Sequence, residues 1–399
     1  MISKNIRKEF RDYFIEMKFL YDVRVHKILL QAFILLIISI IILFCYSNAY
    51  RNMEKSNVSL GIGFLKERSG FEIDQGIIPY TSDYSYYRAI LVGFSNTCLI
   101  AFSGVIPSTL IGVLVGSGRL SSNKLVSWTC RVYVEIFRNI PPLIVIFFWY
   151  RSVLSLLPIP DHSIALPFGT FLNNRGLSFP LLIMDMNGKI FIFSFILGII
   201  LSIFTGKLSR RFHEKTGKSF SLIYSSIFLI FGLPFLVLSA LKFQLHFDRP
   251  VLGEFNFVGG STISPEFISL YMALSCYTAS FIAEIVRLGI TSIPRGQIEA
   301  GITLGLTYTK VTRLILLPQA MRVIITPLTS QYLNLLKNSS LAVAVGYADL
   351  VSVGGTIMNQ TGQAIEIILI WMLIYLSLSI MISLFMNYLN SKTNLKERK

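Results

Sequence analysis

The chain has 399 residues, 53% of them hydrophobic and 14% charged, with a mean hydropathy of +0.64 and a formal net charge of +15. This is more apolar surface than a soluble core of that length needs, so the composition predicts a polytopic membrane protein. The positive balance does not point to nucleic acid, because no soluble domain is visible that gathers Lys and Arg on one face.

In chain order, residues 1–27 form a charged amino-terminal segment. The apolar run behind it, residues 28–48, has no small-residue cleavage site after it and reads as a retained anchor rather than a signal peptide. A membrane helix takes about 20 mostly apolar residues, because the hydrocarbon core is roughly 30 Å thick and each residue rises 1.5 Å. That measure predicts an all-α protein of about eight transmembrane helices. They run from Ile28 to Asn48, Ala89 to Val115, Val132 to Leu157, Ile190 to Gly206, Phe220 to Leu241, Phe267 to Val286, Val323 to Gly346 and Ala364 to Tyr388. The fourth is the shortest.

Positively charged loops stay on the cytoplasmic side. With the amino terminus inside and an even number of spans, that side receives Lys4 to Lys27 of the leader, then Arg119, Lys124 and Arg131, then Lys207 to Lys218. It also receives Arg287, Arg295, Lys310, Arg313 and Arg322, and the basic tail of residues 389–399. Most of the basic residues fall on this side, which places both termini in the cytoplasm. The opposite side receives residues 49–88 and Pro158 to Lys189, rich in Gly, Pro, Asn, Ser and Tyr, which read as ordered loops too small for independent domains.

The loop 287–322 is too charged to span and is expected to face the cytoplasm. Pro294-Arg295-Gly296 is a turn signal and a short helix follows it. Gly301 and Gly305, four apart, either leave a bare strip on one helix face or end that helix. A second amphipathic run, Tyr308 to Leu317, is expected to stop at Pro318, which has no amide hydrogen to donate. The expectation is two short helices in an L. Cys45, Cys98, Cys130 and Cys276 have no CxxC spacing and read as small hydrophobes, neither disulfides nor metal ligands. Gly217-Lys218-Ser219 looks like the end of a phosphate loop, but Phe212 stands where its first glycine belongs. His26, His162, His213 and His246 are scattered, and no catalytic constellation speaks for an enzyme.

Glu299-Ala300-Gly301, then Gly305, then Ile315-x-Leu317-Pro318, resembles the EAA loop of the permease subunits of ATP-binding-cassette (ABC) importers. The family pattern has Ala where this chain has Gly301, a small-for-small change. "YTASFIAEIVRLGI" (277–290), "LLPQAMR" (316–322) and "LLKNSSLA" (335–342) resemble the polar amino acid permeases of the His/Glu/Gln/Arg/opine branch. "VEIFRNIPPLIVIFFWY" (134–150) and "FLNNRGLSFP" (171–180) are similar to the Q-type permease subunit of the general L-amino acid importer. The resemblance covers residues 89–388. It implies a type I importer core of five spans, with one extra amino-terminal span and a helix pair inserted within about 158–262.

The resemblance further implies a non-catalytic subunit in the bacterial inner membrane. It would bind no cofactor or metal itself and would couple through Glu299, Ala300, Gly301, Gly305, Ile315, Leu317 and Pro318 to a dimeric ABC ATPase that uses ATP and Mg. A second related permease subunit, a periplasmic amino-acid-binding protein, an L-amino acid substrate and membrane lipid complete the expected partners. Because the family runs its substrate route among these spans, Asn96, Thr97, Asn139, Ser280, Glu284, Lys337, Asn338 and Ser339 become path candidates. Each has a structural alternative: Glu284 with Arg287 and Arg138 as an ion-pair cluster, and Lys337 to Ser339 as helix–helix hydrogen bonding. Pro141-Pro142 either borders a cavity or makes a packing kink. The alternative function is a secondary transporter or channel without an ATPase, which predicts paired repeats that the sequence lacks.

Overall fold

The structure, a computed structural model, describes residues 23–55, 61–183, 186–216, 222–240 and 247–393. The leader before residue 23, the Gly217-Lys218-Ser219 triplet and the tail from residue 394 lie outside them. The chain divides into two units, Met1–Glu67 with Thr356–Ile370, and Arg68–Gly355 with Trp371–Lys399.

The first unit holds α1 (Val23–Lys55), apolar along His26–Asn48 with none of that window buried, as a lipid-facing helix requires. A 3-10 turn at Gly63–Lys66 buries Phe64, and the Gly61 amide donates to Glu366 Oε1 at 3.1 Å.

After α1 come α2 (Tyr86–Gly118), α3 (Lys124–Asn139) and α4 (Pro142–Phe147). Three short strands follow, β1 (Ile164–Leu166), β2 (Thr170–Asn173) and β3 (Gly176–Phe179), then β4 (Leu181–Leu182), α5 (Met186–Thr216), α6 (Leu222–Ile227) and α7 (Leu233–Ala240). The strands β5 (Phe247–Asp248), β6 (Val251–Leu252), β7 (Phe257–Val258) and β8 (Ser261–Ile263) lead into α8 (Pro265–Thr291). The remainder is α9 (Arg295–Thr303), α10 (Tyr308–Val311), α11 (Leu317–Asn338), α12 (Leu350–Thr361) and α13 (Ala364–Thr393).

The second unit is built on α2 against α8. A Cβ at Gly112 would stand 2.6 Å from the Cβ of Ile282, and one at Gly116 would stand 2.6 Å from the Ala283 carbonyl oxygen. Gly104 lies beside Ser275, Gly112 beside Ala279, and Gly116 beside Ala283, so the two helices run in the same direction. Helices in lipid gain nothing from apolar burial against each other, so close backbone approach through small residues is what holds such a pair.

Among the described residues six helices are long and apolar enough to cross a membrane, and a seventh crossing counts if the bent pair Lys124–Asn139 and Pro142–Leu156 is one span. At the expected fifth span the described residues hold a shorter apolar helix, Ser225–Val237, which falls short of spanning length. The expected third span is not continuous. It breaks by 109° at Ile140-Pro141, where both residues are extended at ψ 133° and 139°. Each proline disfavours the helical conformation for the residue before it, and here both preceding residues, Ile140 and Pro141, take the extended one.

The sequence reading contained no strands, and the structure adds a small antiparallel sheet of order β1-β2-β3-β8 with the ladders β4-β5 and β6-β7. Strands from before and after the inserted helices pair with each other, Leu177 opposite Ile263 and Leu181 opposite Asp248. The insertion therefore leaves and rejoins the bundle at one place. Inside it α5 packs on the α6–α7 segment at Gly198, where a Cβ would meet the Leu229 carbonyl oxygen.

Pro318 does not stop a helix. A π turn at Thr312–Leu316 sits ahead of it, and the helix runs on from Tyr308 through α11 to Asn338. The wider turn changes the hydrogen-bond register, so the missing amide and the ring of Pro318 are absorbed instead of breaking the rod. The expected L of two short helices is thus one short helix, α9, joined to a long one.

Replacing Gly112 by Val should cost about 1–3 kcal/mol of overpacking against Ile282. The expected outcome is a lower thermal midpoint of the detergent-solubilised protein, while Gly206→Val, with open space around it, leaves the midpoint unchanged.

Candidate functional site

Two interruptions of membrane helices meet on α8. One is the break between α3 and α4. The other is the 3-10 stretch Ser339–Val345 after α11, closed by Gly346 in the left-handed conformation at φ +79°. Between them Val145, Ile146, Ala342, Val345 and Tyr347 pack with Ile100, Leu270 and Leu274. Non-helical backbone within a membrane protein persists only where protein or a water-lined cavity satisfies it, so this junction is the candidate translocation region.

A polar bracket fastens one end of the junction. The Asn96 side-chain amide donates to the Gln75 carbonyl at 2.9 Å and to the Ala348 carbonyl at 2.8 Å. Gln75 Oε1 accepts from the Ala348 amide at 3.3 Å, and its Nε2 donates to Glu266 Oε2 at 3.1 Å. The Tyr150 hydroxyl donates to the other Glu266 oxygen at 3.1 Å. Thr97 Oγ1 accepts from the Leu350 amide at 3.0 Å, and Asp349 Oδ1 accepts from Ser352 N–H at 2.8 Å, so both cap the start of α12. Gln75, Tyr150, Glu266 and Asp349 escaped the sequence reading. The signal for Asp349 was legible, an acidic N-cap residue ahead of "LVSVGG".

The predicted path residues divide between this bracket and other places. Asn96 and Thr97 are fully buried in the bracket. Ser280 is fully buried within α8 and donates to the Tyr277 carbonyl at 2.7 Å. Ser339 is buried in the 3-10 stretch and donates to the Leu336 carbonyl, with Asn338 half-buried beside it. Lys337 and Asn139 are exposed, each at the helix end before its interruption. Asn139 donates to the Glu135 carbonyl at 2.8 Å.

At the opposite end of α8, Glu284 forms ion pairs with Arg119 of α2 and with Arg287, the latter at 2.6 Å. Its side chain is 18% exposed. A carboxylate in a span is costly unless paired, and two guanidinium groups answer it here. The Arg138 guanidinium lies over the Phe281 ring at 5.4 Å.

Beyond that end lies the segment 295–318. Gly301 is buried inside it, and a Cβ there would meet Ile315 Cδ1 at 2.8 Å and Val311 Cγ2 at 3.0 Å. Gly305 lies past the end of α9 at φ +79°. Its amide donates to the Ile302 carbonyl at 2.9 Å and the Leu306 amide to the Gly301 carbonyl at 3.2 Å, the pairing that closes a helix with a left-handed glycine. Of the two readings of the glycine pair, the structure selects the helix end. Gly301 serves a contact within the segment. The outward surface is formed instead by Glu299 and Ala300 with Ile302, Leu304 and Tyr308, of which Leu304 is 81% exposed. Ile315 is half-buried, and Leu317 and Pro318 are exposed at the foot of α11.

With this geometry in view, comparison with known proteins is informative. A family described as binding-protein-dependent transport system inner membrane components matches residues 198–395. The chain is similar to the general L-amino acid transport system permease protein AapQ of Rhizobium johnstonii, 52% identical over 379 residues and covering 95% of each chain. It is 43% identical over 354 residues to the putative amino-acid ABC transporter permease protein YhdX of Escherichia coli, covering 88% of this chain and 90% of that one. It is 37% identical over 415 residues to the glutamate/glutamine/aspartate/asparagine transport system permease protein BztB of Rhodobacter capsulatus, covering 95% and 96%.

Proposed function

Because the chain belongs to the family of inner membrane components of binding-protein-dependent transport systems, we propose that it is the permease subunit of an ATP-driven importer of L-amino acids, carrying a broad polar range of them. The observation that carries this reading is the pairing of two interrupted helices on α8 with a short helix locked to the foot of α11. The first supplies a route through the bundle. The second supplies a handle by which a separate protein can move the bundle.

In this reading both termini face the cytoplasm of a cell with an inner membrane, in keeping with the distribution of Lys and Arg. The segment 295–318 then docks on a dimeric ABC ATPase, which binds ATP and Mg, while this chain binds no cofactor. Glu299, Ala300, Leu304 and Tyr308 make the contact. Gly301, Gly305 and Ile315 hold the segment together, and Leu317 and Pro318 join it to α11. ATPase closure would be passed to α11 as a rigid movement, because α9 is fixed by the Gly301 contact to Val311 and Ile315 just ahead of α11 and by the Gln319–Gln297 hydrogen bond at 2.5 Å to α11 itself. A periplasmic amino-acid-binding protein delivers substrate at the end marked by Gln75. A second, related permease subunit pairs with this one and faces the exposed Lys337 and Asn139 across the route. Every amino acid carries an α-carboxylate whatever its side chain, so Lys337 suits a general rather than a selective importer.

Two outcomes test the reading in proteoliposomes holding the complete transporter. Glu299→Arg and Leu304→Asp should reduce ATP-driven uptake about tenfold or more while insertion and subunit expression stay intact; uptake at the wild-type rate in both would remove the coupling role. Lys337→Ala should raise the substrate concentration for half-maximal uptake with little change in maximal rate. Unchanged kinetics would return Lys337 to helix packing.

A further inference from the structure

Asp349 is a buried carboxylic group that the transport reading leaves unused. It has no exposed surface, and while Oδ1 caps α12, its second oxygen Oδ2 has no hydrogen-bond partner. The groups that act on it are acidic or neutral. The Tyr347 hydroxyl shares its linker, and Tyr375 reaches it from α13 with Cys98 of α2 behind. From the α2 side come Asn96 and Thr97, and from α8 Glu266 is connected through Gln75, which also holds the Ala348 amide. No Lys, Arg or His stands among these groups. The seat is tight as well: a Cβ at Gly93 would be 3.0 Å from both the Asp349 carbonyl oxygen and the Leu350 Cα.

A carboxylate closed off from water without a cation is expensive, and the group answers by taking a proton. Burial pushes Asp349, in the linker between two spans, up to about 7. We propose that Asp349 is a proton-operated latch, neutral while α12 is seated on Gly93 and ionised when that seat opens to water. The proposal rests on the importer reading, in which this end faces the periplasm and must open to receive substrate.

The direction follows from linkage. The seated state holds the proton more tightly than the opened state, where the group returns to the ordinary carboxyl range of about 4. Protonation therefore favours the seated state fully below that range, and the advantage is lost as the pH rises to about 7. Acid outside the cell holds the mouth shut. Between pH 8 and pH 5.5 the balance should move about thirty-fold toward the seated state, and uptake limited by opening should fall correspondingly.

The test uses the complete transporter in proteoliposomes with two measurements. Infrared difference spectra of the resting wild-type complex should contain a protonated-carboxyl band that titrates near neutrality and is missing from Asp349→Asn, which keeps the cap on α12. Uptake by wild type should fall as external pH drops from 8 to 5.5 at constant internal pH, and uptake by the Asn variant should be flat across that range. A wild-type spectrum without the band at pH 6, a band retained in the variant, or equal pH dependence of both proteins overturns the latch. If the importer reading itself were at fault, ATP-driven uptake would be missing at every pH while the carboxyl band still titrated.

Discussion

The contact of α2 with α8 is the constraint from which the rest of the second unit follows. Gly104, Gly112 and Gly116 remove side chains from one face of α2, so the α8 backbone comes within reach along most of the length of both helices. Their parallel course sets Arg119 beside Glu284 at one end. At the other it sets Asn96 and Thr97 at the level where the linker 346–349 must pass. Everything that looks functional is attached to this pair. The α3–α4 break and the 3-10 stretch both pack on Leu270 and Leu274 of α8, and α9 hangs from α8 by the tight turn around Ile293, itself buried.

The two ends of the pair are secured by different chemistry. One carries an ion triad of Glu284, Arg119 and Arg287, charge-assisted and partly buried. The other is held by hydrogen bonds centred on Gln75 and Asn96, with the Glu266 carboxyl accepting from Gln75 and Tyr150. Among the described residues the bracket also contains the orphaned oxygens of Asn96 and Asp349, groups that a seated state leaves unpaired and an opened, wetter one would not.

Much of this was legible in the sequence, and the exceptions have physical causes. Composition and apolar run length give the spans, because lipid imposes a length on any helix that crosses it. The helical character of the loop near Glu299 was also readable from Pro294 and the glycines. The fate of Pro318 was not, since a proline that ends a helix and one absorbed by a π turn look alike until the register of the preceding turn is known. Gly301 and Gly305 show the same limit: equal spacing, but one is a packing contact and the other a backbone conformation. The bracket was hidden for a different reason. Gln75, Asn96, Glu266 and Ala348 are far apart in the chain, and no local pattern records that α2 and α8 bring them to one level.

The parallel course of α2 and α8 also bears on the number of crossings, where helix length alone stops at seven. Two parallel spans require an odd number of crossings between them. The α3–α4 pair is one: it starts with Cys130 against Gly118 at the far end of α2 and reaches Glu266 at the start of α8 through Tyr150. The insertion must then contribute none or two, and α5 is itself long and apolar enough to cross. Its strands settle where it returns, because β3 pairs with β8 and β4 with β5, so the chain comes back to the start of α8, the place it left. For α5 to cross and the chain still to return to its point of departure, the α6–α7 segment would have to cross as well. Its shortness is met by the π turn at Phe228–Gly232 and by close packing on Gly198. Among the described residues six or seven helices are long and apolar enough to cross, and what the paired strands add is closure: the inserted helices leave and rejoin the bundle at one place.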